Sequence, residues 1–459
     1  MDLLQTIYDF VWGIPSLVLI LGTGIYLSIR TRFCQIRLLP SAMKMFFSRF
    51  SSRDGTSSFR ALCTALAATV GTGNLAGVAG AIAIGGPGAV FWMWVCGMLG
   101  MAIKFAEATL AIRFRARNRA GEFVGGPMYM IANALPKSYG WLAGTYAFFG
   151  VIAAFGVGNA TQIHTVLSAL QSGLQNAGVA MVLPIRIFAG GILALLVGLM
   201  LLGGAKRIGA VAEMLVPIAA GLYLILGLTV LILRLDVVPT AFMSILQGAC
   251  SPRSVTGGVV GSVMITLRTG ISRGVFTNEA GMGTASIAHA GATVTHPVLQ
   301  GMMGIVEVFL DTIVICTVTA LVILCSGVPI AYGVDPGVTL TADAFSNVLG
   351  SWVYGVLTVC LCLFALATVL GWGLYGIRCA QYLLGDSAWR PFVYLQILIV
   401  FLSALLRSTQ VWRLAEIVNG LMAIPNLIAI LALSPELINL YKSYMNGGHY
   451  ENLHQCQSL

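Results

Sequence analysis

Charge is what this sequence has little of. Only 9% of its 459 residues are Asp, Glu, Lys or Arg, against about 25% in ordinary soluble domains, and its mean hydropathy is +0.91. A water-soluble globule is excluded. Histidine is also scarce, with 5 residues scattered along the chain. There is no H-E-x-x-H pair and no nucleophile elbow, so no recognisable catalytic group points to a membrane enzyme. The 10 cysteines make no C-x-x-C pair and no zinc-ligand spacing, and read as small apolar residues within apolar spans. A channel filter motif is missing too.

What the chain has instead is a series of apolar runs. About 20 residues of helix cross a bilayer, and runs of that order lie near 11–29, 61–84, 88–112, 141–170, 185–202, 210–233, 256–283, 297–325, 351–384, 391–406 and 412–433. The expected class is an all-α polytopic membrane protein with about 11 transmembrane helices. The first run begins with Asp2 and Asp9, lacks a basic leading region and is followed by a basic stretch, so it reads as a helix and not as a cleavable signal peptide.

Short cytoplasmic loops retain Lys and Arg. Loop 30–60 contains Arg30, Arg32, Arg37, Lys44, Arg49, Arg53 and Arg60, and alternate loops add Arg113, Arg115, Arg117, Arg119, Lys137, Lys206, Arg207, Arg268, Arg273, Arg378, Arg390 and Lys442, 19 in all. The other side holds 5: Arg186, Arg234, Arg253, Arg407 and Arg413. The asymmetry places the N-terminus outside and the C-terminus in the cytoplasm. The net charge of +9 is therefore a topology signal, with no nucleic-acid partner implied.

Setting the first span aside leaves ten, which divide into five over 60–234 and five over 254–433, flanked by an extra helix with a basic loop (1–59) and a cytoplasmic tail (434–459). The leading span of each five is interrupted. Residues 68–77 read "ATVGTGNLAG", with Gly71, Thr72, Gly73 and Asn74 in mid-span. Residues 274–286 read "GVFTNEAGMGTAS", with Asn278 and Glu279 beside Gly281 and Gly283. Paired interruptions at matching places are the signal of an inverted-repeat transporter with its site near mid-membrane. Five helices per half is an odd number, so the halves insert with opposite topology.

Unwound backbone at membrane depth is tolerable only where protein buries it or it lines a cavity. Half-helix amino ends attract a carboxylate, and carbonyls at half-helix carboxyl ends can hold a small cation. A single glycine pair such as Gly73 and Gly77 also reads as close helix packing; it is the pairing of the two breaks that points to a site.

Seven stretches carry a resemblance across nearly the whole chain: "ALCTALAATVGTGNLAGVAGAIAIGGPGAVFWMW" (61–94), "KFAEATLA" (104–111), "GEFVGGPMYM" (121–130), "GGAKRIGAVAEMLVP" (203–217), "SRGVFTNEAGMGTASIAHA" (272–290), "EVFLDTIVICTVTALVIL" (307–324) and "NGLMAIPNLIAILALS" (419–434). By these the sequence resembles the alanine or glycine:cation symporter family, sodium-coupled amino acid carriers of bacteria and archaea. The resemblance implies the leucine-transporter type of fold, with ten core helices in two inverted repeats plus one extra, in a bacterial or archaeal plasma membrane.

It also implies roles for particular residues. The amides of Gly71, Thr72 and Gly73 would hold the substrate carboxylate, with Asn74 orienting the loop or reaching the substrate. Phe276 would close over the substrate while Thr277 and Asn278 meet its ammonium group; Gln162 would contact it as a neutral amide, and Trp372 would limit its size. Sodium, the coupling ion, would lie against the carbonyls of Ala67 and Val70 and the Thr368 hydroxyl.

The chain departs from the family at three places. Ala367 stands where many relatives have a hydroxyl residue, Ile377 where the family usually has glutamate, and His164 at a position rarely histidine. Lys104 and Glu107, at i and i+3, are expected to pair. Glu279, Glu307 and Asp311 read either as gating or packing acids or as proton carriers. The expected activity is sodium-driven uptake of small neutral amino acids, alanine or glycine, by alternating access; the alternative is proton coupling on the same fold. The expected partners are that substrate and membrane lipid, with a monomer plausible.

Overall fold

In hydrocarbon, each backbone N–H and C=O needs a partner within its own segment or from packed protein, and the apolar runs accordingly wind into helices. A computed structural model describes residues 6–7, 10–51, 56–176, 181–252, 256, 262–405 and 409–448. Asp2, Asp9, Arg53, Arg253, Arg407, the 254 boundary and residues 449–459 of the expected tail lie outside the described residues.

Among the described residues, 8 helices are long and apolar enough to cross a membrane: Gly88–Arg113, Lys137–Gln171, Leu183–Leu201, Gly204–Leu233, Pro297–Cys325, Val353–Leu384, Asp386–Leu405 and Glu416–Met445. The pair Ser58–Thr69 and Gly73–Gly85, bent by 51°, raises the number to 9 if it is one span. Eleven spans were expected. The difference lies in the first, whose apolar helix Pro15–Arg30 is short, and in the seventh, which is divided into Val263–Asn278 and Thr284–His289. A break shortens each arm below a membrane's thickness, so length alone does not count it.

Two features were not anticipated. Residues 234–255, read as a loop, contain the apolar helix Val238–Cys250, and the last helix continues through Pro425 and Pro435 to Met445 instead of ending near 433. A small antiparallel hairpin pairs Ala116 with Val124 and Arg117 with Phe123. The centre of the bundle is the Gly88–Arg113 helix, buried along most of its length and packed against Val263–Asn278, Pro297–Val308 and Ile14–Arg30.

Polar pairs show which helix ends share a face. Arg60 meets Glu213 at 2.9 Å, Arg113 meets Glu436 at 2.8 Å and Arg378 meets Glu122 at 3.0 Å. These tie the ends near 60, 113–122, 213, 378 and 436 to one side. On the other side, Arg273 meets Asp335 at 2.9 Å and Glu416 at 3.7 Å. This corrects one assignment: Arg268 and Arg273, counted with the basic side, occupy the arm that begins on the opposite side. The basic residues then divide 17 against 7, and the asymmetry keeps its sign.

Candidate functional site

The first break is made by one side chain. Asn74 turns its amide oxygen onto the Gly71 N–H at 2.8 Å, and its own N–H bonds the Gly71 carbonyl at 3.2 Å. In a continuous α-helix those two N–H groups would serve the carbonyls of Ala67 and Val70, four residues back. Both carbonyls are thereby released. Glycine at 71 is also a matter of room, because a Cβ there would lie 2.8 Å from the Thr368 hydroxyl. That hydroxyl gives its proton to the Phe364 carbonyl at 3.0 Å, so it has lone pairs to offer elsewhere. Ala67, Val70 and Thr368 are all buried. Two carbonyls without helical donors on one unwound turn, whose Gly71 faces a hydroxyl, are neutral oxygens of the kind that suits a small hard cation.

Immediately beside this turn is a small cavity of about 20 Å³, lined by Ala68, Thr69, Gly71, Thr72, Gly73, Val157, Gln162, Phe276, Glu279, Thr368 and Trp372. Thr72 donates to the Gln162 side-chain oxygen at 3.1 Å. Trp372 enters because the π-helical turn Gly156–Ala160 carries Gly158 against it, where a Cβ would collide with the Trp372 Cβ. Thr72, Gly73 and Phe276 also floor a vestibule of about 910 Å³ whose walls include Arg273, Asp335, Glu416 and His164. Those three residues stand between a wide entrance and a narrow chamber.

Of the expected substrate residues, Gly71, Thr72, Gly73, Gln162, Phe276 and Trp372 line the cavity, while Asn74, Thr277 and Asn278 do not. The Thr277 hydroxyl bonds the Gly274 carbonyl at 2.8 Å, and Asn278 bonds Thr312 at 3.1 Å and the Ala280 N–H at 2.9 Å. Thr277 and Asn278 are therefore held by protein partners outside the cavity lining, and the Gly71 N–H, expected at the carboxylate, is taken by Asn74. His164 faces the vestibule and not the chamber. Glu279 is the pocket residue whose place the sequence did not reveal; its two oxygens accept from Trp372 at 3.0 Å and Thr284 at 2.6 Å.

The second break, residues 279–283, turns through left-handed backbone at Glu279 (φ 53°), Gly281 (φ 93°) and Gly283 (φ 78°). Its exposed N–H groups do not face the cavity. Those of Gly281 and Gly283 both donate to one Glu107 oxygen at 3.0 Å, and Asn426 joins them at 2.8 Å. Glu107 is therefore not the partner of Lys104. The lysine instead pairs with Glu307 at 2.8 Å, fully buried, because the carboxylate of Glu107 is turned toward the break. Glu307 also meets His289 at 3.0 Å, His289 meets Gln300 at 2.6 Å, and Ser58 donates to Gln300. This buried chain joins the arms of both broken helices to the Gly88–Arg113 and Pro297–Val308 helices, on the side away from the vestibule.

A released carbonyl pair, a narrow polar chamber and a one-sided entrance describe a carrier, and the sequence comparisons agree. A sequence model described as the sodium:alanine symporter family matches residues 1–456. The chain belongs to the sodium:alanine symporter family. Members are transporters, not enzymes. A relative named sodium/alanine symporter AgcS, of Methanococcus maripaludis, is 42% identical over 96% of this chain and 97% of its own. A probable sodium/glutamine symporter GlnT of Bacillus subtilis is 36% identical over 95% and 89%. Among solved structures, MhsT in complex with L-phenylalanine superposes with a TM-score of 0.55 at 14% identity, over 85% of this chain and 98% of that one. At that identity the likeness speaks for the fold alone, which is of the leucine-transporter type. The family assignment makes the protein a membrane-embedded amino acid symporter.

Proposed function

We propose that this symporter takes up small neutral amino acids, alanine or glycine, together with sodium, by alternating access. The observation that supports the reading is the diversion of two N–H groups at Asn74, which leaves the Ala67 and Val70 carbonyls without their helical donors on the turn whose Gly71 faces the Thr368 hydroxyl. Neutral oxygens preorganised in a dry site hold sodium without the cost of burying further charge. The substrate carboxylate lies at the Thr72–Gly73 turn, where the second arm of the broken helix begins and its dipole is positive. Its ammonium group is met by Glu279, a residue of the same chamber's lining, and Phe276 and Trp372 restrict the side chain.

The vestibule lies on the less basic side, which by the positive-inside rule is the exterior, while the Ser58–Gln300–His289–Glu307–Lys104 chain seals the cytoplasmic side. We infer an outward-facing arrangement in which rocking of the two broken helices exposes the chamber alternately. The two inverted five-helix repeats, 60–234 and 254–433, provide the symmetry for that motion. The test is radiolabelled alanine uptake into proteoliposomes. Accumulation driven by an imposed inward sodium gradient and indifferent to dissipation of the proton gradient is expected; uptake that ignores sodium and collapses with the proton gradient would decide for proton coupling.

A further inference from the structure

Asp311 is completely buried in a π-helical stretch, Phe309–Cys316, and has no ion-pair partner among the described residues. π-Helical turns are rare and cluster at functional sites; this one packs against the π-helical turn Gly73–Gly77 that follows the first break. No role in substrate or ion binding has so far fallen to this acid.

Its two carboxylate oxygens have different partners. Oδ1 accepts from Asn74 Nδ2 at 2.7 Å, with the same Nδ2 3.3 Å from the Asp311 carbonyl and 3.3 Å from the Cys316 sulfur. Oδ2 accepts from the Thr312 hydroxyl at 2.8 Å, and that hydroxyl in turn accepts from Asn278 Nδ2 at 3.1 Å. Each chain ends on a backbone N–H of a break: Gly71 on Asn74 Oδ1 at 2.8 Å, and Ala280 on Asn278 Oδ1 at 2.9 Å.

Backbone N–H groups can only donate, which removes the usual ambiguity in which way an amide side chain points. Gly71 forces oxygen toward itself and so turns the Asn74 NH2 to Asp311. Ala280 does the same for Asn278, whose NH2 then obliges the Thr312 hydroxyl to donate onward. Both chains run downhill to one acid, and both of its oxygens must accept. A carboxyl group, with acceptor lone pairs on both oxygens, meets that demand, whereas a carboxamide presents an NH2 to one of the two donors.

We propose that Asp311 is the positioning residue that orients Asn74 and Asn278 together and so keeps both broken helices unwound. It acts on sodium and substrate through Asn74, and the inference rests on the coupled-uptake reading above for its functional readout. An exchange of partners tests it. In Asp311→Asn, one donor faces an NH2 and one chain must reverse. In the double variant Asn74→Asp with Asp311→Asn, the carboxylate introduced at position 74 accepts from the Gly71 N–H and from the new NH2 at position 311. The amide oxygen at 311 accepts from Thr312, so the bonds from Gly71, between 74 and 311 and from Thr312 regain a donor and an acceptor each, and only the two longer contacts of position 74, to the Asp311 carbonyl and the Cys316 sulfur, go without a donor.

The experiment measures, in the full-length protein purified and reconstituted, the sodium concentration for half-maximal alanine uptake and the alanine concentration for half-maximal binding followed by tryptophan fluorescence. Asp311→Asn is expected to raise both by about tenfold or more, and the double variant to return them to within about threefold of the parent protein. A single variant that cannot be purified beside a double variant that can supports the inference equally. Parent-like constants in Asp311→Asn, or a double variant as impaired as the single, overturn it. If uptake by the parent protein ignores sodium, the coupled reading fails by itself, and the alanine constants still decide the role of Asp311.

Discussion

The two broken helices carry the same signature, glycines beside an asparagine in an apolar span, yet they do different work. At the first break, Asn74 draws N–H groups away from Ala67 and Val70 and leaves their carbonyls unclaimed by the helix beside a polar chamber. At the second, the N–H groups of Gly281 and Gly283 are occupied by Glu107 from a neighbouring helix, and Glu279 is held by Trp372 and Thr284. By the proposed reading, the first break leaves its backbone for a ligand. At the second, the backbone amides already have a ligand in Glu107, and Glu279 is the residue of that break that joins the chamber lining. What separates them is whether a carboxylate from the bundle's centre reaches the exposed amides.

The largest effect that would test this contrast is on stability. Glu107→Leu strands three donors, from Gly281, Gly283 and Asn426, in a dry interior, and is expected to cost about 3–5 kcal/mol, lowering the thermal midpoint in detergent sharply or preventing recovery of protein. The milder Glu107→Gln, which keeps an acceptor oxygen, should be recovered with its sodium affinity near that of the parent. Loss of sodium affinity at a normal melting temperature would make the second break a ligand site and erase the distinction.

Gly73→Leu is expected to behave in the opposite way. A Cβ at Gly73 meets Thr277 and Phe276 at ordinary contact distances, 3.5 and 3.6 Å, so the longer side chain extends into the space between vestibule and chamber without disrupting the fold. Alanine uptake should fall to background while membrane insertion and the melting temperature persist. Normal transport by this variant would move the substrate away from the first break. Thr368→Val removes a hydroxyl facing Gly71 and keeps the volume; it should raise the sodium required for half-maximal uptake by about tenfold, with Vmax little changed. The smallest expected change sharpens the contrast from the other side: Ala367→Ser supplies a hydroxyl near the same turn and should lower the sodium requirement by about twofold to threefold. No change would leave the Ala67, Val70 and Thr368 oxygens as the whole of the chain's contribution.

Membrane-spanning helices, the place of both interruptions and the family were legible in the sequence, because each is local. Hydrocarbon demands long apolar runs, and a run that contains Gly71–Asn74 or Asn278–Gly283 advertises its own break. The residues around the chamber came largely from resemblance, and Glu279 escaped because an acid in a break reads equally as a gate, a packing residue or a ligand until its neighbours are known. Pairing was misread where sequence proximity stood in for distance. Lys104 and Glu107 are one turn apart, but Glu307, 203 residues further on, takes the lysine, while Glu107 turns to amides 174 and 176 residues away.

Periodicity, composition and punctuation thus determined by themselves that the chain is a bundle of membrane helices with two unwound places, since these follow from how each segment meets lipid. Tertiary structure alone decided which unwound place has its amides taken up by a neighbouring carboxylate, which acid meets which donor, and that Asp311 stands at the meeting point of two hydrogen-bonded chains. Hydrogen bonds have direction and reach only about 3 Å, and no spacing along the sequence records which helices will bring a donor and an acceptor within that reach.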